Sequence, residues 1–358
     1  MNNSKCKKIF FDLERGKLPE YRKDIILDEW VIIATERAQR PESFKQELIK
    51  VGKKSTGICP FDKGNEYMSP PEILRIDSSG NIVHKSNNDW QIRVVPNKFP
   101  ALIPNAEAVS RQYGLYTVMD GFGLHEVVIH SPEHITHFNK LEKFQMKILV
   151  DVYKRRIREL KKDKRIESII VMLNQGKEVG ASIEHSHSQI LALPLIPPLI
   201  QKELDVTRRY FKHHDRCPVC DLIRFEMHEK KRVVYENEHF LIIQPFASRN
   251  PFETWIVPKL HYPNFEDISD IEVESFTHCL KILTDFLYIN LNDPPFNYYI
   301  HSVPLSPKDI SKYNHWNYKL IPKLSIKAGF EMAAGIDINI TTPEYATKFM
   351  KKSRCFRK

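Results

Sequence analysis

No apolar run in this 358-residue chain is long enough to cross a bilayer, which takes about 20 consecutive residues. The most apolar stretch, ILALPLIPPLI, is broken by Pro194, Pro197 and Pro198. The opening residues, MNNSKCKKIFFDLERG, lack the apolar segment of a secretory leader. A soluble, cytoplasmic protein with no membrane partner is therefore expected. Cysteine is scarce as well. Six residues (Cys6, Cys59, Cys217, Cys220, Cys279 and Cys355) make no disulfide framework for a chain of this size. Concentrated charge of one sign is also missing. The net charge is +9, yet the basic residues are dispersed, densest in YKRRIRELKKDKR and KKSRCFRK. A charged helix face of that kind is more often solvated than pressed on phosphates, so no nucleic-acid partner is expected.

What is present is a unit written twice. The first copy begins at CPFD (Cys59 to Asp62) and continues through the strand-like HEVVIHSPEH, which ends at His134. A helix follows, with Asn139 and Glu142 as a capping box and Leu141, Phe144, Ile148, Val152 and Tyr153 at helical spacing. The strand SIIVMLN and then HSHSQILALP complete it. The second copy begins at CPVC (Cys217 to Cys220) and runs through ETWIVPKLHYPNF, which carries His261. Its helix has Ser269 and Glu272 as a capping box and Phe276, Leu280, Leu283 and Leu287 on one face. NYYIHS and HWNYKLIPKL, with His315, close the unit. The interval from His134 to His185 nearly matches that from His261 to His315. The interval from Cys59 to His134 is longer than its counterpart and carries a Ser-, Asn- and Pro-rich insertion, the composition of a surface loop. The paired prolines of LIPPLI mark the join. The chain therefore divides at 195/196 into residues 1–195 and 196–358.

Each copy holds four metal-ligand residue types. Cys217, Cys220, His261 and His315 form a four-coordinate zinc set, and the absence of a thioredoxin-like context disfavours a redox pair. Cys59, Asp62, His134 and His185 form the first set, where a carboxylate takes the place of a thiolate and shifts the balance of metals the site favours. Zinc is expected, with iron as the other cation to test. Four protein ligands leave no open position for water, so both sites read as structural.

The stretch EHSHSQ then acquires a meaning. On a strand, residues two apart share a face, so His185, His187 and Gln189 point one way. With His185 tied to a metal, His187 is a fixed imidazole, suited to act as a nucleophile or general base. Gln189 offers a carboxamide donor to an oxygen on the group under attack. The loop NQGKEVGAS (Asn174 to Ser182) carries Gly176 and Gly180, which let backbone amides approach an anion. In the second copy Asn317 stands where the first has His187. One half reads as catalytic, its partner as structural.

Taken in order, YRKDIILDEWVIIATERAQRP, RVVPNKFPAL, GFGLHEVVIHSPEH, NQGKEVGASIEHSHSQI and GFEMAAG resemble the galactose-1-phosphate uridylyltransferase family, a branch of the histidine-triad superfamily, over nearly the whole chain. HSHSQ, NDPPFNYYIHSVP and HWNYKLIPKLS are similar to its plant-type ADP-glucose phosphorylase branch. The resemblance implies an α+β fold of two tandem histidine-triad-like domains, each a mainly antiparallel sheet with packed helices. It implies ping-pong nucleotidyl transfer between a nucleotide sugar and a hexose 1-phosphate, through a covalent intermediate on His187. It gives Gln189 the phosphate oxygens and places Asn174, Gly180 and Ser182 in the phosphate cradle. Arg37 and Arg40 would hold the diphosphate, Asn97 the nucleoside, and Phe330 and Glu331 the hexose. Members are commonly homodimers, with the site completed across the interface. Two departures stand out. Asp62 replaces a usual cysteine, and Ser325 stands where the uridylyltransferases place a lysine against the sugar phosphate. The second points toward inorganic phosphate as acceptor, the phosphorylase reaction. A histidine-triad hydrolase, in which water resolves the intermediate, is the remaining enzymatic alternative.

Overall fold

Alternate side chains of Ser168–Gln175 and His187–Leu193 are buried, the period of a strand with one face fully covered. The structure is a computed structural model that describes residues 18–39, 57–302 and 308–357. Within them the strands are β1 (Glu20–Lys23), β2 (Trp30–Ile33), β3 (Leu74–Ile76), β4 (Ile92–Pro96), β5 (Ser110–Tyr113), β6 (Tyr116–Met119), β7 (Leu124–Ile129), β8 (Ser168–Gln175), β9 (His187–Leu193), β10 (Val233–Glu236), β11 (Phe240–Ile243), β12 (Thr254–Pro258), β13 (Phe296–Ser302), β14 (Tyr318–Pro322) and β15 (Ile338–Asn339). The helices are α1 (Lys143–Leu160), α2 (Pro198–His214), α3 (Pro218–Glu229), α4 (Asp270–Asn290), α5 (Gly329–Ala334) and α6 (Pro343–Lys352).

Ten strands form one sheet in the order β10-β11-β12-β14-β13-β8-β9-β7-β4-β3. Its pairings are antiparallel throughout. The fold is α+β, as expected, and the repeat appears as two five-strand arrays in mirrored order. The arrays are not separate sheets: β8 pairs with β13 from Phe296↔Gln175 to Ser302↔Ile169, so the halves share one continuous backbone ladder. A parallel pairing of β15 with β2 joins residues 32–33 to residues 338–339 in a small three-stranded sheet.

Helices α1 and α4 pack on one face of the large sheet. Met146, Leu149, Val150, Tyr153 and Ile157 of α1 and Phe276, Leu280, Leu283 and Leu287 of α4 are buried there against Ile169, Val171, Leu173, Ile190, Tyr298 and Tyr318. The capping box expected for α4 is present: Glu272 N–H donates to Ser269 Oγ at 3.4 Å, and Ser269 N–H to Glu272 Oε2 at 2.8 Å. The box expected for α1 is not. Asn139 lies in a short 3-10 turn and its amide reaches Asp285 of α4 at 3.3 Å, so α1 starts later, with Glu142 as cap and Gln145 as its partner. Phe144, expected on the buried stripe, falls in the first turn of α1, where it is 51% exposed. The second face of the sheet carries His187, Gln189, Asn317 and Lys319. No helix among the described residues is long and apolar enough to cross a membrane.

Candidate active site

Strand β9 alternates as the sequence demanded. Ser186 and Ser188 point to the helix-covered face, where the buried ring of His130 bridges them: Nδ1 lies 2.9 Å from Ser186 Oγ and Nε2 2.9 Å from Ser188 Oγ. Tyr153 donates to Ser188 Oγ at 2.6 Å and meets Tyr298 OH at 2.7 Å. The two residues that flank His187 are thus held from behind. On the front, Phe61 sets its ring edge-on to His187, with centroids 5.3 Å apart. His187 Nδ1 lies 2.8 Å from the carbonyl oxygen of His185. A carbonyl only accepts, so Nδ1 carries the proton and Nε2 keeps its lone pair. Burial lowers the pKa of His187, and that bond opposes the shift without cancelling it.

Gln189 Oε1 is 2.7 Å from Nε2 of His125, at the start of β7, and Asn97 Nδ2 lies 3.1 Å from the same nitrogen. Neither the pattern nor the family resemblance singled out His125. Its signal was only its alternation in HEVVI, two residues before Val127, which pairs with Gln189. Asn174 accepts a 2.8 Å hydrogen bond from Asn297 of β13, which also donates to Val179 O at 3.3 Å. The second half therefore props the loop of the first. Gly176 and Gly180 both have positive φ, and a Cβ on Gly176 would lie 2.8 Å from Pro295. The loop differs from expectation in one respect. The amides of Val179, Gly180 and Ala181 bond to carbonyls inside the loop, at 3.3, 3.1 and 3.1 Å, so its glycines serve the turn itself. Ser182 is exposed beside it. Arg37 is exposed in a 3-10 turn after β2, and Arg40 lies outside the described residues. Phe330, 47% exposed, and Glu331 lie on α5, whose residues mostly face solvent.

Both expected ligand sets come together, each with its four donor atoms within 4.8 Å of one another. In the first, Asp62 Oδ1 lies 2.7 Å from His134 Nδ1 and 2.9 Å from His185 Nδ1, with Cys59 Sγ 3.8 Å from the latter. In the second, Cys220 Sγ lies 3.3 Å from His261 Nδ1 and 3.5 Å from His315 Nδ1. The outer ring nitrogens test whether a cation fits. His185 Nε2 donates to Ser131 O at 3.0 Å, His261 Nε2 to Ser311 O at 2.7 Å, and His315 Nε2 to Pro258 O at 3.0 Å. Each ring is thereby fixed with an unprotonated Nδ1 facing its neighbours, the arrangement ligating histidines adopt. Burial pushes the Cys59 thiol up to about 11, whereas the hydrogen bond from Cys220 pulls Cys217 down.

Strand register aligns the halves residue by residue. Gln189 sits opposite Val127 and Met172, and Lys319 sits opposite Trp255 and Tyr299. Lys319 is therefore the counterpart of Gln189, Asn317 of His187, and Glu253 of His125. Lys319 is buried, 3.6 Å from Glu203 of α2. Burial opposes its charge, but Glu203, Tyr299, Asp24 and Glu253 outweigh that and raise its pKa. The second half thus fills the positions equivalent to His125 and Gln189 with a carboxylate and an ammonium, and sets Glu203 of α2 against the latter.

Comparison with known proteins finds similarity over most of the chain. Residues 10–197 match the family model for the galactose-1-phosphate uridyl transferase N-terminal domain, and residues 203–351 match that for its C-terminal domain. An ADP-glucose phosphorylase from Arabidopsis thaliana is 36% identical over 95% of this chain and 95% of its own. A galactose-1-phosphate uridylyltransferase from Thermotoga maritima is 28% identical over 93% of this chain and 98% of its own. The crystal structure of an Arabidopsis thaliana ADP-glucose phosphorylase with bound ADP-glucose superposes with a TM-score of 0.80 at 35% identity, covering 94% of this chain and 99% of the other.

Proposed function

This chain belongs to the galactose-1-phosphate uridyl transferase family, and from that premise we propose that it moves a nucleotide from a nucleotide sugar to a second phosphate by way of His187. The observation that carries the reading is the bond from His187 Nδ1 to the His185 carbonyl, which leaves Nε2 bare on a strand paired along both edges. The Nε2 lone pair attacks the α-phosphorus, the bond from that phosphorus to the bridging oxygen breaks, and the sugar 1-phosphate leaves with the electron pair. The positive charge gained by the ring is shared with the same carbonyl. A phosphate oxygen of the acceptor then attacks phosphorus, and the P–N electrons return to Nε2. Splitting one displacement into two is what a nitrogen nucleophile offers here.

In this reading Gln189 donates to the phosphate oxygens. Asn174, Gly180 and Ser182 border them, Asn97 faces the nucleoside, and Arg37 and Arg40 pair with the diphosphate as guanidinium forks do. Zinc, or iron in its place, would occupy both ligand sets and fix their loops, taking no part in the bond changes. Phe330 and Glu331 would reach the hexose of a partner's site in a homodimer. The exposed Ile326, Phe330 and Met332 around α5 support such a contact.

The acceptor in the uridylyltransferase reading is a hexose 1-phosphate. Inorganic phosphate is the second reading, favoured by Ser325 and by the 36% identical ADP-glucose phosphorylase. Enzyme charged with labelled nucleotide and freed of excess donor separates them. Discharge by galactose 1-phosphate to a new nucleotide sugar supports the first, and discharge by phosphate alone to a nucleoside diphosphate supports the second. Discharge by water at the same rate with neither present would instead make the protein a hydrolase.

A further inference from the structure

We propose that His125 is a positioning residue for the transfer, acting through Gln189, which it forces to present its amide hydrogens to the phosphate. The proposal rests on the nucleotidyl-transfer reading and extends it to a residue outside it. The argument is one of proton accounting. The N–H of Ala101 points at His125 Nδ1 from 3.2 Å. A backbone N–H can only donate, so Nδ1 accepts and the proton of the neutral ring sits on Nε2. That N–H faces Gln189 Oε1 at 2.7 Å. A carboxamide whose oxygen is engaged has one orientation left, with its NH2 turned the other way. Gln189 shares its strand face with His187, so the amide donors are set beside the attacked phosphorus. Were the carboxamide reversed, its oxygen would meet the phosphate oxygens and repel them.

The surroundings fix His125 as firmly as it fixes Gln189. Asn97 N–H donates to the His125 carbonyl at 2.8 Å, and Phe99 N–H donates to Asn97 Oδ1 at 2.9 Å. The chain from Asn97 to Ala101 is thus wrapped on the His125 ring. Asn97 Nδ2 also lies 3.1 Å from Nε2 and would donate to it only in the tautomer that the Ala101 N–H excludes. The second half supplies an internal comparison. At the paired positions it has Glu253 and Lys319, so the histidine and the glutamine are replaced together where the nucleophile is lost.

The test is a double-mutant cycle read by the rate at which nucleotide sugar, at saturation, labels the protein. His125→Leu should slow labelling roughly 10- to 100-fold, the usual effect of removing a residue that orients a functional one, with the KM for nucleotide sugar unchanged. His125→Gln, which keeps a donor near the Nε2 position, should retain most of the rate. In a Gln189→Ala background His125→Leu should cost nothing further. An equal loss in both backgrounds, or a full rate for His125→Leu beside a labelled wild type, overturns the assignment. Should His125→Leu fail to fold, His125→Glu, an acceptor facing Gln189 Oε1, must show the same loss and the same dependence on Gln189. If the wild-type protein takes no label from any nucleotide sugar, the transfer reading falls, and this inference falls with it.

Discussion

At the scale of single residues, reactivity is decided by what is done to the atom that does not react. His187 is useful because Nδ1 is spent on a carbonyl, and His185, two residues earlier, is useful because its Nε2 is spent in the same way. On the proposed function, the difference between nucleophile and ligand is only which nitrogen is left bare and what lies in front of it. His187→Gly should therefore abolish labelling by nucleotide sugar while leaving metal content and circular dichroism as they are, since the residue holds no cation. Loss of bound metal in that variant would show that the roles of the two histidines had been confused. The ligand sets and His187 were legible in the sequence, because spacing and strand alternation are enough to place them. His125 was not, because its role depends on a hydrogen bond across strands and on which proton its ring keeps.

At the scale of elements, the same strand–loop–strand unit has been used for opposite ends. In the first half, β8 and β9 present a bare imidazole and carboxamide. In the second, Asn317, just before β14, and Lys319 on it present a carboxamide and an ammonium near carboxylates. Lys319→Met should cost about 3–5 kcal/mol, because it leaves Glu203 and its neighbours buried without a counter-charge. The sign with pH follows from the raised pKa of Lys319 in the folded state. Its contribution is complete below the unfolded value of about 10.4 and is lost as pH climbs through the folded one. Thermal melts of wild type and variant should differ most near neutrality and converge in strong alkali. A constant gap up to high pH would mean that packing, not charge, sets the cost. Local signals at the elements were mixed for a physical reason. Ser269 and Glu272 cap α4, Glu272 keeping the bond to Ser269 while it also meets Tyr262, whereas Asn139, with the same sequence pattern, is taken by Asp285 of a neighbouring helix.

At the scale of the molecule, the two halves are one machine because one ladder joins them. The β8–β13 pairing places Asn297 of the second half on Asn174 of the first, so the second copy holds the loop of the first. The doubling itself was legible, from matching intervals between ligands. The shared sheet was not, because nothing in either strand's alternation says which edge it will meet. On the proposed function, the asymmetry of the halves leaves one reaction centre per chain, and the most direct measurement follows from that. Protein mixed with a nucleotide sugar, digested under conditions that spare the P–N bond and mapped by mass, should carry one nucleotidyl group per chain, on the peptide containing His187. A group found on any other residue, or none from any nucleotide sugar, would contradict the account.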